Sequence, residues 1–380
     1  MPWKTSSVME MKREWVHFAS APGANIRALC RRYGVSPTTG YKWLARYLKD
    51  GEPGLVEHSR RPKNSPRKIQ TATEKNITAA AQKWPSWGAR KLKAWLEHQG
   101  HAMPAVSTVH AALRRNGLRP PQETQPKPVG RFEHEAPNQL WQMDFKGHFE
   151  MDAGRCHPLT LLDDHSRYLL CLHPCADEKR RTVQDCLVEV FSRYGLPERM
   201  TMDNGSPWGD AAGNWTALEL WLIRQGIRVG HSRPHHPQTQ GKLERLHATL
   251  KCELLQGRRF ANLAHAARAF EAWRYSYNQE RPHEALGGQT PLTRYRPSHK
   301  SYTPNPPPPQ YDASMRVRTV NGNARLRFKN RFVRVGRAFV GERVGLREEK
   351  EDGVYSLWWY STKLGSFDLK SPASGLQKLP

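Results

Sequence analysis

The chain has 380 residues, enough for several domains and at least one sizeable core. Its 60 Lys and Arg outnumber 35 Asp and Glu, a formal charge of +25 that favours a polyanionic partner, nucleic acid before any other. No apolar run is long enough to span a bilayer and the N-terminus lacks a signal-peptide core, so the protein is expected to stay where it is made and to have no membrane partner.

Residues 1–58 read as a short helical domain. In NIRALCRRYG, Ile26, Leu29 and Cys30 share a helical face, and Gly34 then permits a sharp turn. Ser36 is placed to cap the next helix, with Pro37 at its first position. Tyr41, Trp43, Leu44 and Tyr47 are expected to supply that helix's apolar contacts. Helix, Gly-containing turn, helix is the helix-turn-helix pattern, and its second helix offers Thr38, Thr39, Lys42 and Arg46 to a DNA groove. Residues 59–70 are a basic linker in which Arg60, Arg61 and Lys63, beside Pro62, suit an extended arm along a minor groove.

Residues 71–118 carry three helical segments, ITAAAQKW, GARKLKAWLEHQG and STVHAALRRNG. Ser107 is read as the N-cap of the last, which would present Thr108, His110, Arg114 and Arg115. Residues 119–134 and 301–312 are Pro-rich linkers. Between them, residues 135–300 alternate strands and helices. Residues 313–380 contain short alternating runs (MRVRTV, ARLRFK, RFVRVG, ERVGLRE and VYSLWWY) that suggest a small antiparallel barrel or sandwich. The fold class is multidomain α/β: N-terminal all-helical domains, a mixed-sheet core and a small C-terminal all-β domain.

Six cysteines, Cys30, Cys156, Cys171, Cys175, Cys186 and Cys252, form no CxxC pair, which fits reduced thiols in a cytoplasmic protein. Cys171 and Cys175 flank His173 in CLHPC. That segment reads as a buried strand with small apolar thiols rather than a zinc fragment, because no second ligand pair has the usual spacing.

Within the central region LWQMDFKGHF alternates, with Trp141, Met143, Phe145 and Phe149 on one side and Gln142, Asp144, Lys146 and His148 on the other. PLTLLDDHSRYLLCLH is a strand pair joined near Asp163 and Asp164, which read as turn residues supporting the site. ERMTMDNG is a strand ending at Asp203, with a turn at Asn204-Gly205. Residues 238–256 form a helix whose apolar stripe is Leu243, Leu246, Leu250 and Leu254, with Gln240, Glu244, His247 and Lys251 on another face. Taken singly, Asp144, Asp203 and Glu244 are ordinary surface or turn acids. Taken together, two strand carboxylates and one helix carboxylate in a basic chain suit two Mg²⁺ ions about 4 Å apart, held against a phosphodiester. Mn²⁺ could substitute.

The stretches WQMDFKG, LLDDHSRYLL, TMDNGSP, HPQTQGKLERLHATLK and YNQERPHEALGGQTP, in that order across residues 135–295, resemble the catalytic core of DDE-type insertion-sequence transposases and retroviral integrases. The resemblance implies an RNase H-like fold and carries metal binding and catalysis onto Asp144, Asp203 and Glu244. It implies a DNA transposase that binds terminal inverted repeats and cuts and joins strands. Its partners would be element-end and target DNA and further copies of itself, in a bacterial cytoplasm at the nucleoid. Gln240, Lys242, His247 and Lys251 would lie along the substrate. The interval from Asp203 to Glu244 is 41 positions, somewhat long for the group, with the excess placed in PWGDAAGNW. The His/Cys zinc pattern of retroviral integrase N-termini does not occur here, so the helical domains take over end recognition.

Overall fold

The computed structural model describes residues 7–57, 69–118, 132–203, 205–209, 214–231 and 241–371. They fall into two compact units divided after Lys68.

The first unit contains α1 (Val8–Ala19), α2 (Ile26–Arg32) and α3 (Pro37–Asp50). Ser7 and Glu10 form a reciprocal cap on α1, Asn25 caps α2, and Ser36 caps α3 with Pro37 at its first position, as the sequence predicts. Trp15, Val16, Cys30, Trp43 and Leu55 make the core. Gly40 is required in α3: a Cβ there would stand 2.5 Å from Cys30 Sγ and 2.7 Å from the Trp15 ring. One expectation fails, because Tyr41 is 52% exposed. Like Thr38 and Lys42 it is exposed on α3, although the Lys42 ammonium reaches over the Trp43 ring at 4.8 Å.

The second unit begins with α4 (Thr71–Lys83), α5 (Ala89–His98) and α6 (Val106–Arg115), packed around Ile77, Trp87, Leu92, Leu96 and Val109. Helix α6 starts two residues earlier than predicted. Ala105 is its N-cap, so Ser107 lies inside the first turn and caps nothing. Lys83 pairs with Glu280 at 3.1 Å, tying α4 to the core.

Among the described residues, the core sheet has strands β1 (Trp141–Phe145), β2 (Phe149–Met151), β3 (Gly154–Asp163), β4 (Leu169–Cys175), β5 (Arg199–Met202) and β6 (Arg228–His231). The order β4-β3-β1-β5-β6 is mixed: β1–β3 and β3–β4 are antiparallel, β1–β5 and β5–β6 parallel, and β2 extends along β3. Strand alternation sends Trp141, Met143, Leu159, Leu161, Met200 and Met202 to one face, against α7 (Arg180–Tyr194) and α8 (Ala217–Arg224). Leu162, Leu169 and Leu172 face the other way, against α9 (Gly241–Leu250), a π-helical turn at Lys251–Leu255, and α10 (Leu263–Gln279). The predicted stripe Leu243, Leu246, Leu250 and Leu254 is buried there, although the helix changes pitch after Leu250.

A short helix α11 (Pro291–Arg294) precedes residues 301–312. These are held down rather than free: Gln225 donates to the Thr303 carbonyl, Tyr360 to that of Pro307, and Tyr302 packs on the core. Strands β7 (Arg316–Thr319), β10 (Arg343–Glu348), β11 (Val354–Trp359) and β12 (Thr362–Asp368) then form one sheet, β8 (Arg325–Phe328) and β9 (Arg331–Arg334) another. Strand β12 was not among the predicted runs. Its region shares a core with Leu220 and Ile223 of α8, and Arg224 pairs with Glu342 at 2.6 Å.

Candidate active site

Asp144 and Asp203 are brought together by sheet register. In the parallel pair β1–β5, Gln142 stands opposite Thr201, so two residues further along Asp144 comes level with Asp203 at the C-terminal ends of the strands. Both have the parity of Gln142 and Thr160, the face that packs on α9. Burial, together with the charges of Asp203 and Glu178, pushes the Asp144 carboxyl up to about 6, while the Phe145 amide and Lys146 oppose the shift. Asp203 is exposed at the strand end.

Glu244 is exposed on α9, and two bonds fix that helix beside the acids. The Thr160 hydroxyl donates to the Asp144 carbonyl at 2.8 Å and meets His247 Nε2 at 2.8 Å. Thr160 is the cross-strand partner of Asp144, so His247, one turn beyond Glu244, is pinned directly over β1. Burial and the nearby Lys146 charge push the imidazole down to about 4, leaving it neutral. The second bond is an ion pair between Lys242 and fully buried Asp164. Both residues were expected along a substrate; within the chain the His247 ring and the Lys242 ammonium hold α9 to the sheet. Lys251 is exposed, and Gln240 lies outside the described residues.

Asp163 and Asp164, read from sequence as turn residues, are both fully buried. Asp163 accepts from the Asn138 and Ser166 amides, each at 2.8 Å, and from the Ser166 hydroxyl. Asp164 accepts from Gln142 Nε2 at 3.1 Å and the His134 amide at 3.0 Å. Burial works against ionisation of Asp164, but Lys242 and His134 outweigh it and hold the carboxyl below its usual range.

Sequence reading missed three contributors. Glu178 receives His157 Nδ1 at 2.8 Å, and its charge bears on Asp144. His231, at the end of β6, reaches the Asp203 carbonyl through Nδ1 at 3.0 Å and buried Glu219 through Nε2 at 2.9 Å. The T-x-x-E capping box of Thr216 and Glu219 was legible; its link to Asp203 was not. Trp208, placed by sequence in a long loop, is buried and stacks on Phe145 at 5.2 Å, so that loop begins packed on the end of β1.

Family profiles match along most of the chain: a helix-turn-helix domain at 11–63, a homeodomain-like domain at 39–113, integrase core domains at 134–237 and 225–291, and the C-terminal domain of IS481 family transposases at 315–374. The chain thus carries helix-turn-helix regions, an integrase core domain and an IS481-type transposase C-terminal domain, and its relatives are insertion-element proteins and retroviral polyproteins. Similar proteins include an uncharacterized 31.7 kDa protein of insertion element IS407 from Burkholderia multivorans, 26% identical over 215 residues, covering 54% of this chain and 74% of that one. An uncharacterized 39.2 kDa protein of IS476 from Xanthomonas euvesicatoria is 26% identical over 169 residues, 44% of this chain and 47% of that one. The chain spans 13% of a Pol-related polyprotein from a mouse intracisternal A-particle, at 31% identity over 126 residues and 32% of this chain. Among solved structures, an HTLV-2 integrase catalytic core in complex with magnesium aligns at TM-score 0.34 and 17% identity, over 43% of this chain and 99% of that one.

In this integrase-core protein the helical regions present several of the predicted contact residues to solvent. Thr38 and Lys42 are exposed on α3, and His110 and Arg114 on α6. Thr39 and Thr108 are half-buried. The Thr39 hydroxyl is bonded to that of Ser36 at 2.9 Å, and Arg46 lies against the Trp43 ring at 5.1 Å, so both serve α3's own structure. Arg60, Arg61 and Lys63 lie outside the described residues.

Proposed function

We propose that the protein is a DDE transposase that binds the terminal inverted repeats of an insertion sequence and catalyses strand cleavage and strand transfer. The observation that carries this reading is the level placement of Asp144 and Asp203 on adjacent parallel strands, on the sheet face to which α9 and Glu244 are pinned. The donor set is of the kind hard divalent cations prefer, carboxylate oxygens, and the Asp144 carboxyl feels the charges of Asp203 and Glu178. Asp144, Asp203 and Glu244 would hold the Mg²⁺ ions. When bound, such ions supply charge neutralisation on the attacking and leaving oxygens.

In strand transfer a 3′-hydroxyl of the element end attacks a target phosphorus. A new P–O bond forms as the bond to the target 3′-oxygen breaks; the nucleophile's proton goes to solvent and the leaving oxygen acquires one. The chain's own residues orient this exchange. Thr160 and His247 hold α9 against Asp144, and His231 holds the backbone at Asp203. Lys146, whose charge reaches Asp144 and His247, is the cation set to meet a phosphate. Thr38, Lys42, His110 and Arg114 would read or grip the ends, and homo-oligomers would pair two ends in one event.

The test incubates the whole chain with labelled element ends, target plasmid and Mg²⁺, beside Asp203→Asn. Joined products from the unaltered protein only, with end binding kept by the variant, are expected. Equal joining by both would refute the assignment. End binding with no chemistry in any divalent metal would favour a DNA-binding regulator.

A further inference from the structure

A second constellation lies on the opposite face of the sheet, away from the acids. His173 and Cys175 alternate on β4, pairing with Leu159 and His157, so both point to the α7 side. Cys186 projects from α7 into the same core. The imidazole nitrogen and the two Sγ atoms all lie within 4.8 Å of one another. Both cysteines are buried and His173 is half-buried, which leaves one side of the cluster open. Glu189, one turn beyond Cys186 on α7, is exposed, and its charge bears on both His173 and Cys186. The CLHPC segment alone supplies two of the three donors. The third donor comes from a facing helix at a spacing no sequence pattern flags.

We propose that His173, Cys175 and Cys186 bind a single thiophilic divalent cation, Zn²⁺ first, with water or Glu189 in the fourth place. Two thiolates and an imidazole are a soft donor set that suits Zn²⁺ and discriminates against Mg²⁺, which prefers oxygen. Tetrahedral zinc with bonds of about 2.0–2.3 Å sets its donors roughly 3.5 Å apart, so a closure of about 1 Å by side-chain rotation completes the site. Cys186 already lies within hydrogen-bonding reach of Cys175 and His173. On binding, the two thiol protons leave to solvent and the ion bonds β4 to α7. The site is structural and separate from the acids, so it would brace the core without taking part in strand transfer.

The test uses the whole chain, purified under reducing conditions and stripped of metal, with excess Mg²⁺ present to occupy the carboxylates. Titration with Co²⁺ should give thiolate-to-metal charge-transfer absorption saturating at one ion per chain, displaced by Zn²⁺. Cys186→Ser should abolish that absorption. His173→Gln should keep it but weaken binding beyond the roughly 10–100-fold caused by losing a mere outer-shell partner. Cys252→Ser, which alters the exposed thiol outside the cluster, should bind as the unaltered chain does. Circular dichroism of each variant checks that it is folded, and Zn²⁺ should raise the melting temperature only where the cluster is intact. Three results would overturn the proposal: no thiolate absorption in the unaltered folded chain, unchanged stoichiometry in folded Cys186→Ser, or a Cys175–Cys186 disulfide in the freshly isolated reduced protein.

Discussion

Replacing Lys242 by Met tests how α9 is held beside the strand acids. Asp164 is fully buried, and its carboxylate is met by Lys242, Gln142 and His134. Lys242 also donates to the Asp164 carbonyl at 3.3 Å, and its side chain is only 18% exposed. This is therefore a buried pair, for which removing one partner leaves an uncompensated charge and costs about 3–5 kcal/mol. At roughly 2–4 °C per kcal/mol for a unit of this size, the core transition should fall by about 6–20 °C. The pH dependence has a definite sign. In the unaltered chain the Asp164 pKa is depressed, so its stabilisation is present above the unfolded value of 3.8 and lost as pH falls through the folded one. Without Lys242, burial acts unopposed by the ammonium and raises that pKa, so the variant relieves itself by binding a proton. The gap between the two proteins should narrow as pH falls from 7 towards 4. Adding Asp164→Asn should recover part of the loss, because neither partner is then left charged. Scanning calorimetry and urea titration of the three proteins decide it. A loss below about 1 kcal/mol at pH 7, the value of an exposed pair, would refute the argument.

Three further outcomes follow from the same contacts. The folded His247 pKa of about 4 lies below the ordinary imidazole value of 6.5, so stability should fall as pH drops between those values, by on the order of 3 kcal/mol; His247→Gln should flatten that part of a pH series of urea titrations. Glu219→Ala removes the buried acid that orients His231 on the Asp203 carbonyl, and should slow strand joining by about 10–100-fold in a product-release-free single-turnover assay while gel-shift binding to ends is unchanged. Gly40→Ala forces a methyl group into Cys30 and Trp15, at a cost of about 1–3 kcal/mol, and hydrogen exchange should show lost protection in α1–α3 with the core sheet unaffected.

Local periodicity made much of this legible. Alternation in WQMDF fixed which residues of β1 face which way, and the leucine spacing of residues 243–254 fixed the buried side of α9. Caps at Ser36 and Pro37 were readable because they act within one turn. What local pattern leaves out are contacts whose partner is distant in sequence. Lys242 and His247 were read only as substrate-facing groups because their helix face is polar. Their partners Asp164 and Thr160 lie 78 and 87 positions away, and only sheet register brings them within reach. Tyr41 failed for a smaller reason, since one helical position turns a side chain by 100° around the axis, and Ser107 failed because the helix begins two residues before the predicted start.

The same logic separates the two constellations of the core. A strand can carry hard oxygen donors on one face and soft sulfur and nitrogen donors on the other because successive side chains point oppositely. On β3, Thr160 turns towards Asp144 and α9, while its neighbours Leu159 and Leu161 turn towards His173, Cys171 and α7. A divalent cation that prefers oxygen and one that prefers sulfur would then be sorted by the sheet itself, with a leucine layer between them. Any coupling between the two must pass through the packing of β3. For that reason, changes at Cys186 should alter stability far more than strand joining, whereas changes at Asp203 should do the reverse.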